Sequence, residues 1–256
     1  MTKILVISDI HRDDRGIEFA LEQTNHNEVW CLGDVSGHIE YVKEKYNGYL
    51  GNHLKCYQLL KQRHAHCIKG NWEHWLLNQA KDNDPQAFQF KYREELIAER
   101  KVLEGSGILE WIDKEWKTED VQDDFTLTHG SIDNNGDEKV EKWEYYLYPD
   151  YTREVGRLIT RKKLETHHML FGHTHIPGFF KSNGNVPEWY PLTPQNINDE
   201  FDYNLGDHLI HFIINPGSLN VNNGRRSDIR AGLPGTALII DTETQKFRFL
   251  PITPGV

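Results

Sequence analysis

The chain is poor in sulfur, with three cysteines and two methionines in 256 residues. Cys31, Cys56 and Cys67 are odd in number and show no Cys-x-x-Cys spacing. That argues against a disulfide framework and against a thiolate metal site. Long apolar runs are missing too. Nothing approaches the roughly 18 apolar residues of a membrane span, and MTKILVISDIH reaches Asp9 after an apolar run too short for a secretory leader. No membrane association and a cytoplasmic location are expected. Positive charge is scarce: 29 Lys and Arg face 39 Asp and Glu, a formal net charge of −10. Proteins that live on duplex nucleic acid normally present a basic surface, so a duplex partner and a nuclease are disfavoured. A small anionic substrate remains open, because bound cations invert the sign of a local site.

What is present is a set of short apolar runs, each ending on reactive side chains. KILVIS runs into Asp9-Ile10-His11, EVWCL into Gly33-Asp34, and HCI through Lys69 into Gly70-Asn71. FTLT runs into His129-Gly130, HHMLF into Gly172-His173-Thr174-His175, and HLIHFII into Asn215-Pro216-Gly217-Ser218. Unbroken runs of this length bounded by Gly or Pro predict strands buried on both faces. Helical spacing near 15–24 and 54–63 completes a βαβ alternation. With 38% hydrophobic residues and a mean hydropathy of −0.68, the length suits one domain, 1–256, with long surface excursions. Two charged stretches of helical spacing, about 76–120 and 134–166, are the expected excursions.

Function in open α/β sheets collects beyond the carboxyl ends of the strands. Here those ends supply two Asp, one Asn and four His. Residues two apart on an extended strand share a side, so Asp9 with His11, and His173 with His175, can face one centre. Imidazole and carboxylate with one amide oxygen suit Mn, Fe, Zn, Co or Ni ions rather than calcium or a soft ion. Each fragment alone reads as a turn, a cap or a strand end. The ordered conjunction carries the inference, and GHTH is its most specific piece.

That ordered set resembles the calcineurin-like metallophosphoesterases, whose signature runs DxH, GD, GNH, a later H, and GHxH. NPGS at 215–218 resembles a common ending in their bacterial phosphodiesterase branch. The resemblance implies an α/β fold of four layers, αββα, in which two mixed sheets are flanked by helices. It also implies two divalent transition-metal ions, with manganese the first choice in an assay. Asp9, His11 and His175 would hold one ion, Asn71, His129 and His173 the other, and Asp34 would bridge them. Two such ions roughly 3.5–4 Å apart can share a hydroxide and clamp phosphoryl oxygens for in-line attack. The implied activity is hydrolysis of a phosphodiester, or of a nucleotide or dinucleoside polyphosphate, by that hydroxide. A protein phosphatase is the alternative among enzymes. A non-catalytic binding scaffold of the same fold is the alternative from another class; lost ligands would mark it, and here all seven positions are filled.

The sequence departs from the family at three places. Trp72 replaces the GNH histidine that commonly protonates the leaving group, while Glu73 keeps the acidic position after it. Arg12-Asp13 stand where the branch often has Gly-Asn, and VSGHIEYV matches the usual loop after Gly33-Asp34 poorly. Alkoxide leaving groups want an acid, so nucleotide and other good leaving groups are favoured. Trp72 reads either as a stacking wall for a base or as packing under the site. Arg12, and Arg226 from the RRSDIR segment, are candidate phosphate contacts. His74 is a candidate replacement acid, two residues past the family position. Trp143, Tyr145, Tyr146, Tyr148 and Tyr151, with Arg153, Arg157 and Arg161, suit nucleotide recognition or simple helix packing. His53, His64, His66, His167, His208 and His211 match no ligand position and read as structural.

Overall fold

The computed structural model describes residues 2–78, 92–133, 141–160, 164, 166–184, 186–203, 210–220 and 233–253. In chain order the strands are β1 (Lys3–Ile7), β2 (Glu28–Cys31), β3 (His66–Cys67), β4 (Glu119–Gln122), β5 (Phe125–Thr128) and β6 (His168–Leu170). They continue with β7 (Gly178–Asn183), β8 (Glu188–Pro191), β9 (Glu200–Asp202), β10 (Ile210–Asn215), β11 (Gly235–Asp241) and β12 (Lys246–Ile252). The α-helices are α1 (Asp14–Glu22), α2 (Ile39–Lys45), α3 (His53–Gln62), α4 (Asn71–Asn78), α5 (Arg93–Leu103), α6 (Ile108–Glu115) and α7 (Thr152–Thr160).

The strands form two six-stranded sheets, ordered β3-β2-β1-β11-β12-β9 and β4-β5-β6-β10-β7-β8. Each has a parallel part, β3-β2-β1 in one and β5-β6-β10 in the other, continued by antiparallel strands. The layer order follows from the two-residue period of a strand. On β1, Leu5 and Ile7 pack with Ile17 of α1, Tyr57 of α3, Leu76 of α4 and Ile112 of α6. Ile4 and Val6 point the other way, into a core between the sheets that is rich in aromatics: Trp30, Phe125, Phe179, Phe212 and Phe247. On β10, Phe212 and Ile214 enter that middle core, whereas Ile213 joins Val155 and Leu158 of α7 on the far side. The result is helix, sheet, sheet, helix, as the resemblance implied.

Each of the six runs read as strands from the sequence contributes a strand, though His208 and Leu209 of the last lie outside the described residues, and β1, β2, β5 and β6 are buried almost throughout. The expected helices near 15–24 and 54–63 are α1 and α3. Strands β4, β7, β8, β9, β11 and β12 were not anticipated. Half of these, β4, β8 and β9, are three or four residues long and largely exposed, with no apolar signal to find. The first excursion contains α5 and α6. The described part of the second holds a 3-10 turn, Lys142–Glu144, and α7; residues 134–140, 161–163 and 165 lie outside the described residues.

The topology aims the chemistry. Strands β1, β2 and β3 run parallel, so their carboxyl ends lie on one edge, and β5 and β6 bring theirs to the same place. Asp9 N donates to Gly33 O (3.0 Å), and across the sheets His173 N donates to Asp9 Oδ2 (3.0 Å).

Candidate metal centre

Each candidate ligand sits in the first residues past a strand, where the backbone turns sharply. Asp9, His11, Asp34, His173 and His175 all have positive φ, between 43° and 65°. A non-glycine residue held there costs roughly 1–3 kcal/mol, and such residues cluster where function requires them. The strain is held by specific hydrogen bonds. Ser218 Oγ donates to Asp9 O (2.7 Å) and Asn220 Nδ2 to Ile10 O (2.8 Å), so NPGSLN braces the back of the first ligand loop. Asn215 Nδ2 donates to Gly172 O (3.0 Å) and braces the GHTH loop in the same way. Gly172 is required by proximity: a Cβ there would collide with Ser8 Oγ and the Asp9 carboxylate.

The side chains converge in two groups. In the first, His175 Nε2 lies 3.1 Å from Asp9 Oδ1 and 3.1 Å from His11 Nε2. In the second, His129 Nε2 lies 3.1 Å from Asn71 Oδ1, 3.1 Å from His173 Nδ1 and 3.3 Å from Asp34 Oδ2. All seven residues are buried. Three ring tautomers follow from the far nitrogen, because a carbonyl can only accept. His11 Nδ1 donates to Ser36 O (2.9 Å), His129 Nδ1 to Leu32 O (2.6 Å) and His173 Nε2 to Glu144 O (3.1 Å). That orients the remaining nitrogens into the two groups, the way proteins set imidazoles for a metal. Bare lone pairs 3 Å apart repel unless a cation or a proton lies between them. The donor set therefore fits two divalent ions of the manganese-to-zinc type.

The charges agree with that fit. Burial opposes ionisation of both carboxyls, yet His175 beside Asp9 and His129 beside Asp34 hold them below the usual range. Burial would lower the His129 pKa, but Asp34 and Asp9 overcome it and raise the value to about 10. Burial, with His175 and His129 as the next causes, pushes His11 down to about 4 and His173 to about 3.

Several residues take supporting roles that the sequence did not specify. Glu73 is fully buried and accepts four hydrogen bonds: Oε2 from Asp34 N (2.8 Å) and Gly70 N (2.9 Å), Oε1 from Val35 N (2.9 Å) and Tyr57 OH (2.8 Å). One carboxylate thus ties the loop carrying Asp34 to the loop carrying Asn71. Tyr146 stacks on His173 with ring centres 3.8 Å apart, and Tyr148 stacks on Tyr146. The tyrosine stretch therefore packs against a candidate ligand, while Arg153 and Arg157 are exposed on α7. His38 lies beside His11, with ring centres 4.6 Å apart.

The other sequence candidates fall as follows. Trp72 is 1% exposed and packs edge-on against Trp75, Tyr92 and His38. His74 is half-buried on α4, and burial followed by Lys69 pushes its pKa to about 4, leaving it neutral at pH 7. Arg226 and Arg161 lie outside the described residues. Arg12 turns away at φ 68°, donating from Nε to Leu50 O (3.0 Å) and from Nη1 to Glu99 Oε1 (2.7 Å).

Glu99 itself is 1% exposed, and burial lifts its pKa to about 7 in spite of Arg12. A carboxyl whose folded pKa exceeds its unfolded value stabilises the fold fully below the unfolded value, about 4.5, and loses that contribution as pH rises through 7. The expected contribution is about 2–3 kcal/mol. Urea denaturation at pH 5 and pH 8 should show a smaller loss of stability for Glu99→Gln than for the parent. Equal losses would contradict the assignment.

Comparison with known proteins agrees with the geometry. The model of the calcineurin-like phosphoesterase superfamily domain matches residues 2–245. A metallophosphoesterase from Sphaerobacter thermophilus superposes with a TM-score of 0.71 at 19% identity, covering 99% of this chain and 90% of that one. A hypothetical protein from Pyrococcus horikoshii OT3 gives 0.65 at 16% identity, covering 100% and 89%. A putative diadenosine tetraphosphatase gives 0.52 at 13% identity, covering 99% and 95%. No curated protein matches the sequence. These structures share the fold, and the family match over nearly all of the sequence places this chain in the calcineurin-like phosphoesterase superfamily.

Proposed function

We propose that this chain is a phosphoric ester hydrolase that uses two divalent transition-metal ions on a phosphodiester, or on a nucleotide or dinucleoside polyphosphate. The observation that carries the reading is the convergence of seven buried donors in two groups with ring nitrogens turned inward. Asp9, His11 and His175 would hold one ion, Asn71, His129 and His173 the second, with Asp34 between. When bound, the ions supply an activated water and neutralise the phosphoryl oxygens. The protein's own part is to fix that geometry. Ser36, Leu32 and Glu144 carbonyls lock the rings, and Glu73 locks the two loops. A complete ligand set gives the scaffold alternative no support.

Trp72 supports a choice of substrate class. It fills the position after Asn71 with a buried ring that has no proton to give a leaving oxygen. General acid catalysis is typically worth 10²–10⁴-fold, so esters with good leaving groups are expected to be cleaved well and simple alkyl monoesters poorly. The test is a panel of aryl phosphodiesters, dinucleoside polyphosphates and alkyl monoesters, run after chelator treatment and again with added Mn²⁺, Co²⁺, Ni²⁺ or Mg²⁺. Hydrolysis should vanish with chelator and return with Mn²⁺, Co²⁺ or Ni²⁺. Mg²⁺ should be poorer, since it prefers oxygen ligands. Full activity after prolonged chelation would overturn the reading.

A further inference from the structure

Ring orientation at the second group depends on one short stretch of the second excursion. His173 offers Nδ1 to that group, 3.1 Å from His129 Nε2, and its Nε2–H donates to Glu144 O (3.1 Å). That hydrogen bond fixes the far edge of the ring but not its plane, which can still turn about the line of the bond. Tyr146 removes the remaining freedom. Its ring lies along the face of His173, with centres 3.8 Å apart and planes 26° from parallel. Edge and face are thus held by residues two apart in sequence.

The stretch is itself well anchored. Its backbone is extended at Tyr145 (φ −81°, ψ 116°), so successive side chains alternate. Leu147 is 1% exposed and packs with Ile132 and with Val155 and Leu158 of α7. Tyr146 and Tyr148 take the other side and stack on each other, their planes 4° from parallel. Lys142 O accepts from Ser131 N (2.9 Å), just past His129. The Glu144 carboxyl accepts a hydrogen bond from Trp75 on α4, the helix that begins at Asn71. Residues 142–148 therefore touch His173 itself, the chain that follows His129 and the helix that carries Asn71. The contacts described for the first group come from elsewhere: Ser36 O holds His11, and Ser218 and Asn220 brace Asp9 and Ile10. The two groups are fastened by separate parts of the chain.

We infer that Tyr146 is a positioning residue for the second ion: with Glu144 O it sets the plane of His173, so that the second excursion governs ion affinity at the Asn71–His129–His173 group. The inference rests on the two-ion reading of the site. Outer partners of metal-binding imidazoles are worth roughly 10–100-fold in affinity, and a ring stack that adds no hydrogen bond belongs at the lower end.

The test uses the full chain, stripped with chelator and titrated with Co²⁺ by calorimetry, and two variants. Tyr146→Leu keeps apolar bulk against His173 but has no flat face. Tyr146→Phe keeps the face and loses only the hydroxyl. In the Co²⁺-loaded protein the shifted ring N–H protons of His11 and His173 report the two groups separately by NMR. The parent should take up two ions. Leu should bind one of them about tenfold more weakly, with the His173 proton displaced and the His11 proton in place. Phe should restore both the affinity and the spectrum. A Leu variant with parental affinities would overturn the inference, as would equal weakening of both ions, a His173 proton that stays in place, or a Phe variant no better than Leu. A parent that takes up fewer than two ions would instead refute the two-ion reading, and the inference with it.

Discussion

Asp34→Ala is expected to leave a folded chain that has lost both ions and more than a thousandfold in activity, about 4 kcal/mol of barrier. Its carboxylate belongs to the second group through Oδ2, 3.3 Å from His129 Nε2, yet it also raises the basicity of His11 in the first. Two dications held in adjacent groups would need shared negative charge between them. With Asp34 gone, Asp9 is the one carboxylate left among the proposed ligands. The single-site changes are the comparison: His175→Ala should empty mainly one position and His129→Ala mainly the other. Elemental analysis of protein purified without chelator reads all three. If Asp34→Ala retained a full equivalent of metal at one position, the bridging role would be wrong. The structural cost should be small by contrast, since the main bond lost is the one Asp34 Oδ1 accepts from Trp72 N (3.0 Å).

The candidate ligands could be picked out because each lies within a few residues of an apolar run, and the structure brings them together in two groups. The buried strands were legible for the same reason, since KILVI is apolar on both faces, whereas the layer order came from the family resemblance. What stayed hidden was set by contacts across long stretches of chain. Glu99 reaches Gly37 over 62 residues, and Ser218 reaches Asp9 over 209. Nothing in VSGHIEYV says that His38 will stand beside His11, because its place depends on α5 carboxylates and on the ring of Trp72. Arg12 shows the converse. Adjacency to His11 suggested a phosphate contact, but a left-handed backbone sends its guanidinium to Leu50 and Glu99. The C-terminal pair β11 and β12 obeys the strand rules in part, as GTALII is an unbroken run bounded by Gly. It carries no reactive ending, so attention to strand ends passed over it.

Glu73 carries the largest stability effect expected of any one residue near the centre. Its carboxylate serves three buried backbone N–H groups and one phenol, and no water-facing route replaces it. Glu73→Ala leaves those donors unsatisfied and opens a cavity, a combination expected to cost about 3–5 kcal/mol. For a chain of this size that is roughly a 10 °C fall in Tm, at about 2–4 °C per kcal/mol. Glu73→Gln is the sharper probe. The amide keeps the volume and one acceptor oxygen, but its NH2 must face N–H groups that themselves need acceptors. Burial, and then Asp34, raise the Glu73 pKa, so the site pays for a charge that glutamine would spare. If volume were what mattered, Gln would match the parent. If the two-oxygen acceptor geometry is what matters, Gln should fall most of the way to Ala in Tm. The second consequence concerns metal. Asp34 and Asn71 sit on the two loops that Glu73 ties together, so both variants should bind Mn²⁺ at least tenfold more weakly and gain less Tm on its addition. A Glu73→Gln protein with parental Tm and parental Mn²⁺ affinity would show that the loops hold their ligands without the clamp.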